Sequence, residues 1–353
     1  MIKTPLFSII IPLYNKEQYL GACLKSVQDQ SEHSWECLII NDGSTDDSES
    51  VARKFEKQDG RFKVLNQKNS GPSVARNYGI KESKGKLIHF LDADDYYPSL
   101  NTLESIGTIY TKENPMAISG NILIFHSADG STHDNVEVNS KSNELKYQTF
   151  AELQNDYFFT RFFFDRKFIE DHKVTFPEYT YVGEDPVFLV KALSQMDKFL
   201  VTNVPVYTYR QVAGSSSELY RYDEVKLISY MTTQLELLEI CEKNQYTKLK
   251  KRILDRIDRE TIDLYMQYKD QNSKVRDGLK NVLTFIDVET HHERILNVRE
   301  KEAHIHNLEK IAIDLRTEIE SLKHPGVKIA ARTLLGALKR KAKNIYKTIG
   351  KKA

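Results

Sequence analysis

Leu87-Ile88-His89-Phe90-Leu91-Asp92-Ala93-Asp94-Asp95 is an apolar run that stops in three carboxylates. A run so short and so apolar reads as a buried strand. Acids at its carboxyl end lie where open α/β sheets bind ligands. On an extended chain residues i and i+2 point the same way, so Asp92 and Asp94 are expected to aim at one point. Carboxylates that close repel each other unless a positive charge lies between them. A hard divalent cation, Mg²⁺ or Mn²⁺, itself holding a diphosphate, fits that requirement. Alone, the same residues would more readily be an acidic turn capping the next helix.

The segments before this stretch alternate between two periods. Phe7-Ser8-Ile9-Ile10-Ile11-Pro12-Leu13-Tyr14-Asn15 reads as a first buried strand, and Leu20, Cys23, Leu24 and Val27 then recur at helical spacing. Trp35-Glu36-Cys37-Leu38-Ile39-Ile40 reads as a second strand, and Asn41-Asp42-Gly43-Ser44-Thr45-Asp46-Asp47 as a turn that becomes a helix N-cap. Phe62-Lys63-Val64-Leu65 is a third strand, and a helix runs through Ala75 to Ile80 after Asn69-Ser70-Gly71-Pro72. Strand alternating with helix predicts a parallel, doubly wound sheet. Ligand chemistry is then expected at Pro12 to Asn15, Asp42 and Asp92 to Asp95. Asp42 before Gly43 also suits a simple turn, and Arg76 suits either a surface ion pair or a phosphate at a helix N-terminus.

Taken together, Ile10-Ile11-Pro12-Leu13-Tyr14-Asn15, Asn41-Asp42-Gly43-Ser44-Thr45-Asp46, Gly71-Pro72-Ser73-Val74-Ala75-Arg76-Asn77 and Leu91-Asp92-Ala93-Asp94-Asp95, in this order and spacing, resemble family 2 glycosyltransferases of the GT-A fold. The resemblance is close over roughly the first hundred residues and looser to about residue 215. It implies a Rossmann-like, mixed but mostly parallel sheet flanked by helices. It implies that Pro12, Tyr14, Asn15 and Asp42 line a nucleotide pocket, with Asp42 facing the base and Arg76 near base and diphosphate. Asp92 would approach the ribose, and Asp94 would ligate the Mn²⁺ or Mg²⁺ that bridges the phosphates. The family inverts the anomeric centre in one displacement.

Further along, Met116 to Phe125 reads as a strand pair and Ser127 to Lys146 as a hairpin or mobile insertion. Phe158-Phe159-Thr160-Arg161-Phe162-Phe163-Phe164 reads as a buried core strand, with stacking on an acceptor sugar as the alternative. Glu184-Asp185 precedes an apolar helix in which Pro186 suits the first turn, so the macrodipole alone would favour acids there. The resemblance makes Asp185 the catalytic base and Glu184 an acceptor contact. An attacking hydroxyl has to lose its proton, and a carboxylate within hydrogen-bond reach takes it. Tyr209-Arg210, followed by Gly214-Ser215, resembles a segment that closes over the diphosphate, where Arg210 and Ser215 would stabilise the leaving group. A linker with a surface Arg is the other reading.

The chain of 353 residues carries a net charge of +1, which gives no general electrostatic attraction to nucleic acid. Its three cysteines have no paired spacing, which suits a reducing compartment and argues against a disulfide framework or zinc site. Met1-Ile2-Lys3-Thr4-Pro5 runs into a strand without an apolar signal segment, and no apolar run is long enough to span a bilayer. The expected organisation is a GT-A domain over 1–218, a helical domain over 219–290, a possible coiled coil over 291–324 and a basic amphipathic tail over 325–353. Ile295, Val298, Glu302, Ile305, Leu308 (or Glu309), Ala312, Leu315, Ile319 and Leu322 step mostly by three and four, as in a heptad seam. That seam would serve homo-oligomerisation or pack on the chain's own helices. Residues 327–353 hold nine Lys or Arg and no acid, which suits an anionic membrane surface, a disordered tail or a nucleic-acid contact.

The resulting expectation is an inverting, metal-dependent transferase working at the inner face of the cell membrane. It would move a sugar from a nucleotide-sugar, a UDP-sugar, to a hydroxyl of a glycan or lipid-linked saccharide in bacterial surface polysaccharide synthesis. A sugar nucleotidyltransferase would need a Gly-rich first loop, which Pro12-Leu13-Tyr14-Asn15 is not. A non-catalytic membrane scaffold is the remaining alternative.

Overall fold

The computed structural model describes residues 4–134, 140–142, 144–180, 182–211 and 224–256. Ser215, the expected coiled coil, the basic tail and most of the expected helical domain lie outside the described residues. The chain divides into two compact units, one holding residues up to 178 and 184–221, the other 179–183 and the chain from 222 on.

The first unit is built on one nine-stranded sheet. Strands β1 (Phe7–Leu13), β2 (Trp35–Asn41), β3 (Phe62–Asn66) and β4 (Leu87–Phe90) alternate with helices α1 (Glu17–Gln28), α2 (Ser48–Gln58) and α3 (Pro72–Glu82). β1 pairs in parallel with both β2 and β4, and β2 with β3. β1 and β2 are covered on both faces, which is why they read as unbroken apolar runs rather than alternating ones. After α4 (Thr102–Glu113) come β5 (Ala117–His126), β6 (Thr132–Asp134), β7 (Lys146–Gln148), α5 (Phe150–Leu153), β8 (Phe162–Asp165), α6 (Arg166–Asp171), α7 (Glu184–Leu193) and β9 (Phe199–Gln211). The strand order is β3-β2-β1-β4-β8-β5-β9-β7, with β6 paired to β5.

Two local expectations are corrected. Met116 to Phe125 is no strand pair but the single strand β5, whose register against β9 shifts on either side of Asn121. The aromatic segment is strand only from Phe162; Phe159–Arg161 is a 3-10 turn. β8 runs antiparallel between β4 and β5, so the sheet is mixed, and Phe162, Phe163 and Phe164 are buried.

The crevice that matters opens beside β1. Its register with β4 runs from Phe7 to Ile10, where Leu91 still donates to the Ile10 carbonyl at 3.0 Å. By alternation Pro12 faces that same side two residues later, where β4 has ended and no ladder bond is forfeited by its missing N–H. β1 therefore stays paired with β2, through Asn41, while parting from β4. This is the switch point at which parallel sheets open towards ligands. Helix α3 lies hard against the sheet beneath it: a Cβ on Gly79 would come within 2.3 Å of Ile10 Cγ2. Only glycine permits that approach.

The second unit includes α8 (Glu224–Asn244) and a further helical stretch over 247–256. Within it the Tyr179 hydroxyl donates to the Glu236 carboxylate, and burial plus the charge of Glu239 pushes Glu236 up to about 7. Among the described residues no helix is long and apolar enough to cross a membrane.

Candidate active site

The loops that leave β1 and β2 are tied to each other before any ligand is considered. Asn15 sits at φ 49°, a left-handed conformation that Asn tolerates better than most residues. There its side-chain oxygen accepts from the Thr45 N–H at 2.8 Å, and its amide nitrogen donates to Thr45 Oγ1 at 3.2 Å. Lys16 N–H donates to Ser48 Oγ at 2.7 Å, and Asp46 accepts from the N–H groups of both Glu17 and Ser48. One acid thus serves the N-termini of α1 and α2, where donors lack intrahelical partners. Tyr14 is left half-exposed.

Asp42 is buried, and its carboxylate organises the loop that leads into α3. One oxygen accepts from Gln67 Nε2 at 2.8 Å and Ser70 N at 2.7 Å, and the other from Gly71 N at 2.8 Å. Gly71, at φ 90°, is the N-cap of α3, with Pro72 in its first turn. This fixes the helix that carries Arg76.

The acidic stretch departs from the expected geometry. The strand ends at Phe90, and Asp95 N donates to the Asp92 carbonyl at 3.0 Å, so Asp92 to Asp95 is a turn. Asp92 and Asp94 are not successive same-side positions of an extended strand, and they have different partners. Arg76 Nη2 donates to Asp92 Oδ1 at 2.9 Å. Lys16 donates to Asp94. Asp95 is buried and accepts from the Tyr207 hydroxyl and, at 2.7 Å, from Arg210 N. Burial and then the charges of Asp94 and Asp92 push Asp95 well above the usual carboxylate range.

Arg76 joins this turn to the second acidic pair. Its Nη1 donates to Glu184 Oε1 at 3.0 Å, and its guanidinium lies 5.0 Å from the Phe159 ring and 5.3 Å from the Phe176 ring. Burial works against its charge, but Asp92 and Glu184 outweigh that and raise its pKa. The charged bridge over a distance of 108 residues in sequence brings the start of α7 to the end of β4. Asp185, the next residue, has no ion-pair partner among the described residues. Burial, then the negative charge of Glu184, opposed by Arg76, pushes it up to about 8. A carboxylate so placed holds or takes a proton near neutral pH.

Arg210 lies over three rings, 5.4 Å from Tyr19, 5.1 Å from Tyr96 and 5.5 Å from Phe125. Its Nε donates to the Asp94 carbonyl at 2.8 Å. The sequence reading missed Lys16, Tyr207 and this aromatic bed. Lys16 carries no local signal, since its relation to Asp94 exists only because β1 and β4 are neighbours.

The oxygen donors of the turn suit a divalent cation. Asp94 is partly exposed and already balanced by one positive charge. Among the described residues no group of three or more His, Cys, Asp or Glu is set to hold a metal by itself. One or two carboxylates completed by substrate phosphates is, however, how Mg²⁺ is usually bound.

Residues 8–173 match the family model described as Glycosyl transferase family 2. The chain is 29% identical over 221 residues to the uncharacterized glycosyltransferase EpsJ of Bacillus subtilis, covering 61% of this chain and 64% of that one. It is 30% identical over 216 residues to the minor teichoic acid biosynthesis protein GgaA of the same organism, covering 58% of this chain and 47% of that one. The match thus spans less than two thirds of either relative. Among solved structures, S. aureus TarS 1-349 in complex with UDP-GlcNAc superposes with a TM-score of 0.54 at 16% identity, covering 97% of this chain and 91% of that one. That likeness concerns the fold.

Proposed function

Residues 8–173 of this chain match glycosyl transferase family 2, and from that premise we propose that it is an inverting transferase using a nucleotide-sugar, a UDP-sugar, as donor. Its acceptor is a hydroxyl of a glycan or lipid-linked saccharide in bacterial surface polysaccharide synthesis. Teichoic acid synthesis named for the relative GgaA and UDP-GlcNAc in the similarly folded TarS structure support that choice. The observation that carries the reading is the Arg76 bridge, which ties a donor-side turn to Glu184 and so brings its neighbour Asp185, an acid with a raised pKa, to the same turn.

In this mechanism the acceptor oxygen attacks the anomeric carbon from the face opposite the diphosphate. The new C–O bond forms as the bond to the diphosphate oxygen breaks, the electron pair leaves with the nucleoside diphosphate, and the hydroxyl proton passes to Asp185. Glu184, held by Arg76, orients the acceptor side. The loop Pro12, Tyr14, Asn15 and Asp42 shapes the nucleotide pocket, and Asp92 lies on the ribose side. Arg210, fixed through Asp94 and Asp95, offers guanidinium N–H groups to the leaving diphosphate. A divalent ion on Asp94, Mn²⁺ or Mg²⁺, would offset diphosphate charge there. Ser215, the residue-295–322 seam as an oligomer contact and the basic tail as an anchor on anionic lipid belong to the same proposal, as does a GT-A domain ending near residue 218.

The test is a thermal-shift panel of UDP, GDP and CDP with and without Mn²⁺, followed by transfer assays. A ligand that binds only the folded state raises the midpoint. Stabilisation by UDP that metal increases is the expected result; preference for GDP or CDP would overturn the donor choice.

A further inference from the structure

The three carboxylates of the acidic turn are not equally served. Asp92 has Arg76, a buried guanidinium shared with Glu184. Asp95 has neutral donors, the Tyr207 hydroxyl and the Arg210 backbone. Asp94 has Lys16, a point charge on a flexible stem. The two side chains are 37% and 29% exposed, so both are open to exchange with solvent species. The Lys16 backbone, in contrast, is fixed by the bond from its N–H to Ser48 Oγ at 2.7 Å. The stem is therefore anchored and only the ammonium can move.

We propose that Lys16 is the resident counter-cation of Asp94, standing where a divalent metal would bind, so that metal enters by displacing its ammonium and the released charge turns to the donor diphosphate. This rests on the donor-site reading above. A lone ammonium at an acidic turn of this kind does two things. It offsets the charge of Asp94 while no metal is present, which weakens the repulsion with Asp92 and Asp95. It also competes with any incoming cation for the same oxygens. Partly exposed pairs of this type are weak, so a divalent ion holding a diphosphate displaces the lysine readily. Lys16 then lies next to the phosphates with its charge unspent. The consequence is a donor site that keeps part of its affinity for a nucleoside diphosphate without metal, and whose metal affinity is set lower than its acids alone would give.

The experiment uses the full chain as wild type, Lys16→Met and Lys16→Arg, with Mn²⁺ binding followed by electron paramagnetic resonance with and without UDP, and UDP binding followed by calorimetry with and without metal. Lys16→Met is expected to bind Mn²⁺ about fivefold more tightly, the ratio that ~1 kcal/mol represents. It should bind UDP several-fold more weakly than wild type when metal is absent. Lys16→Arg, which keeps the charge, should stay near wild type in both. In an Asp94→Asn background, Lys16→Met should no longer change Mn²⁺ affinity. Unchanged Mn²⁺ affinity in Lys16→Met, with UDP still bound by all variants, overturns this inference alone. Absence of UDP binding in wild type overturns the donor-site reading and this inference with it.

Discussion

The end of β4 and the start of α7 both present adjacent acids, yet the protein treats them oppositely. At the end of β4 each carboxylate has its own partner: Arg76 for Asp92, Lys16 for Asp94, Tyr207 and the Arg210 backbone for Asp95. At the start of α7 only Glu184 is paired, by Arg76 at 3.0 Å. Asp185 sits next to it, half-buried and beside a like charge, and is pushed up to about 8. The first group is arranged to stay in place and accept cations; the second is arranged so that one member exchanges a proton. Residue type is the same in both places, and the surroundings decide the chemistry.

The largest effect should come from removing the proton acceptor. Asp185→Asn is expected to lower transfer about 10²–10⁴-fold, the usual contribution of general base catalysis, while UDP affinity measured by calorimetry stays near wild type. Loss of UDP binding in that variant would erase the distinction between the two acidic groups. Arg76→Met tests what joins them. It strands Asp92 and Glu184 beside a guanidinium site that is itself buried, and removing one partner from a buried ion pair typically costs about 3–5 kcal/mol. A large fall in the unfolding midpoint and in donor affinity together is the expected outcome. A variant of wild-type stability would mean that the bridge is not what holds α7 against the turn.

The division between what could be read from the chain and what could not follows sequence distance. β1, β2 and β4 are apolar runs, α3 begins at a Gly-Pro pair, and α7 begins at its acids; each announces itself within a dozen residues or so by period and capping chemistry. The same local reading placed most of the candidate residues around one crevice, because strand ends in parallel sheets converge there. It failed where pairing is remote. Nothing near Phe162 says that β8 will insert antiparallel between β4 and β5, and nothing near Lys16 points to an acid 78 residues away. The Arg76 bridge is invisible for the same reason. A different failure concerns Asp92 to Asp95. Treating them as extended ignored the ease with which Asp enters turns, and the bond from Asp95 N to the Asp92 carbonyl at 3.0 Å is that tendency realised.

Acidity sharpens the contrast next. A base that titrates near 8 is mostly protonated below that pH, so kcat/KM of the free enzyme should climb about tenfold per unit as pH rises towards about 8 and then level off. Stability should move the other way. The folded state holds the Asp185 proton where the unfolded chain, with a carboxyl near 4, has already released it, so wild type loses stability as pH climbs from about 4 to about 8. Asp185→Asn has no proton to lose. Its unfolding midpoint relative to wild type should therefore rise across that window, and a flat difference would show that Asp185 is an ordinary acid.

The smallest effect is expected at Tyr207, on the other side of the comparison. Its hydroxyl donates to Asp95 and accepts from Asp92 N at 3.3 Å. Tyr207→Phe leaves the ring packing of β9 in place and removes only those two bonds. A buried acceptor that loses one donor costs about 1–3 kcal/mol, and Asp95 retains the Arg210 N–H at 2.7 Å, so the lower end of that range applies. Because the turn is held by several partners and performs no proton transfer, the expected loss falls on stability and, a few-fold, on donor affinity. The pH at which kcat/KM levels off should not move. A shift of that inflection in Tyr207→Phe would place the titrating group at the end of β4 rather than at the start of α7, and would reverse the roles assigned to the two acidic groups.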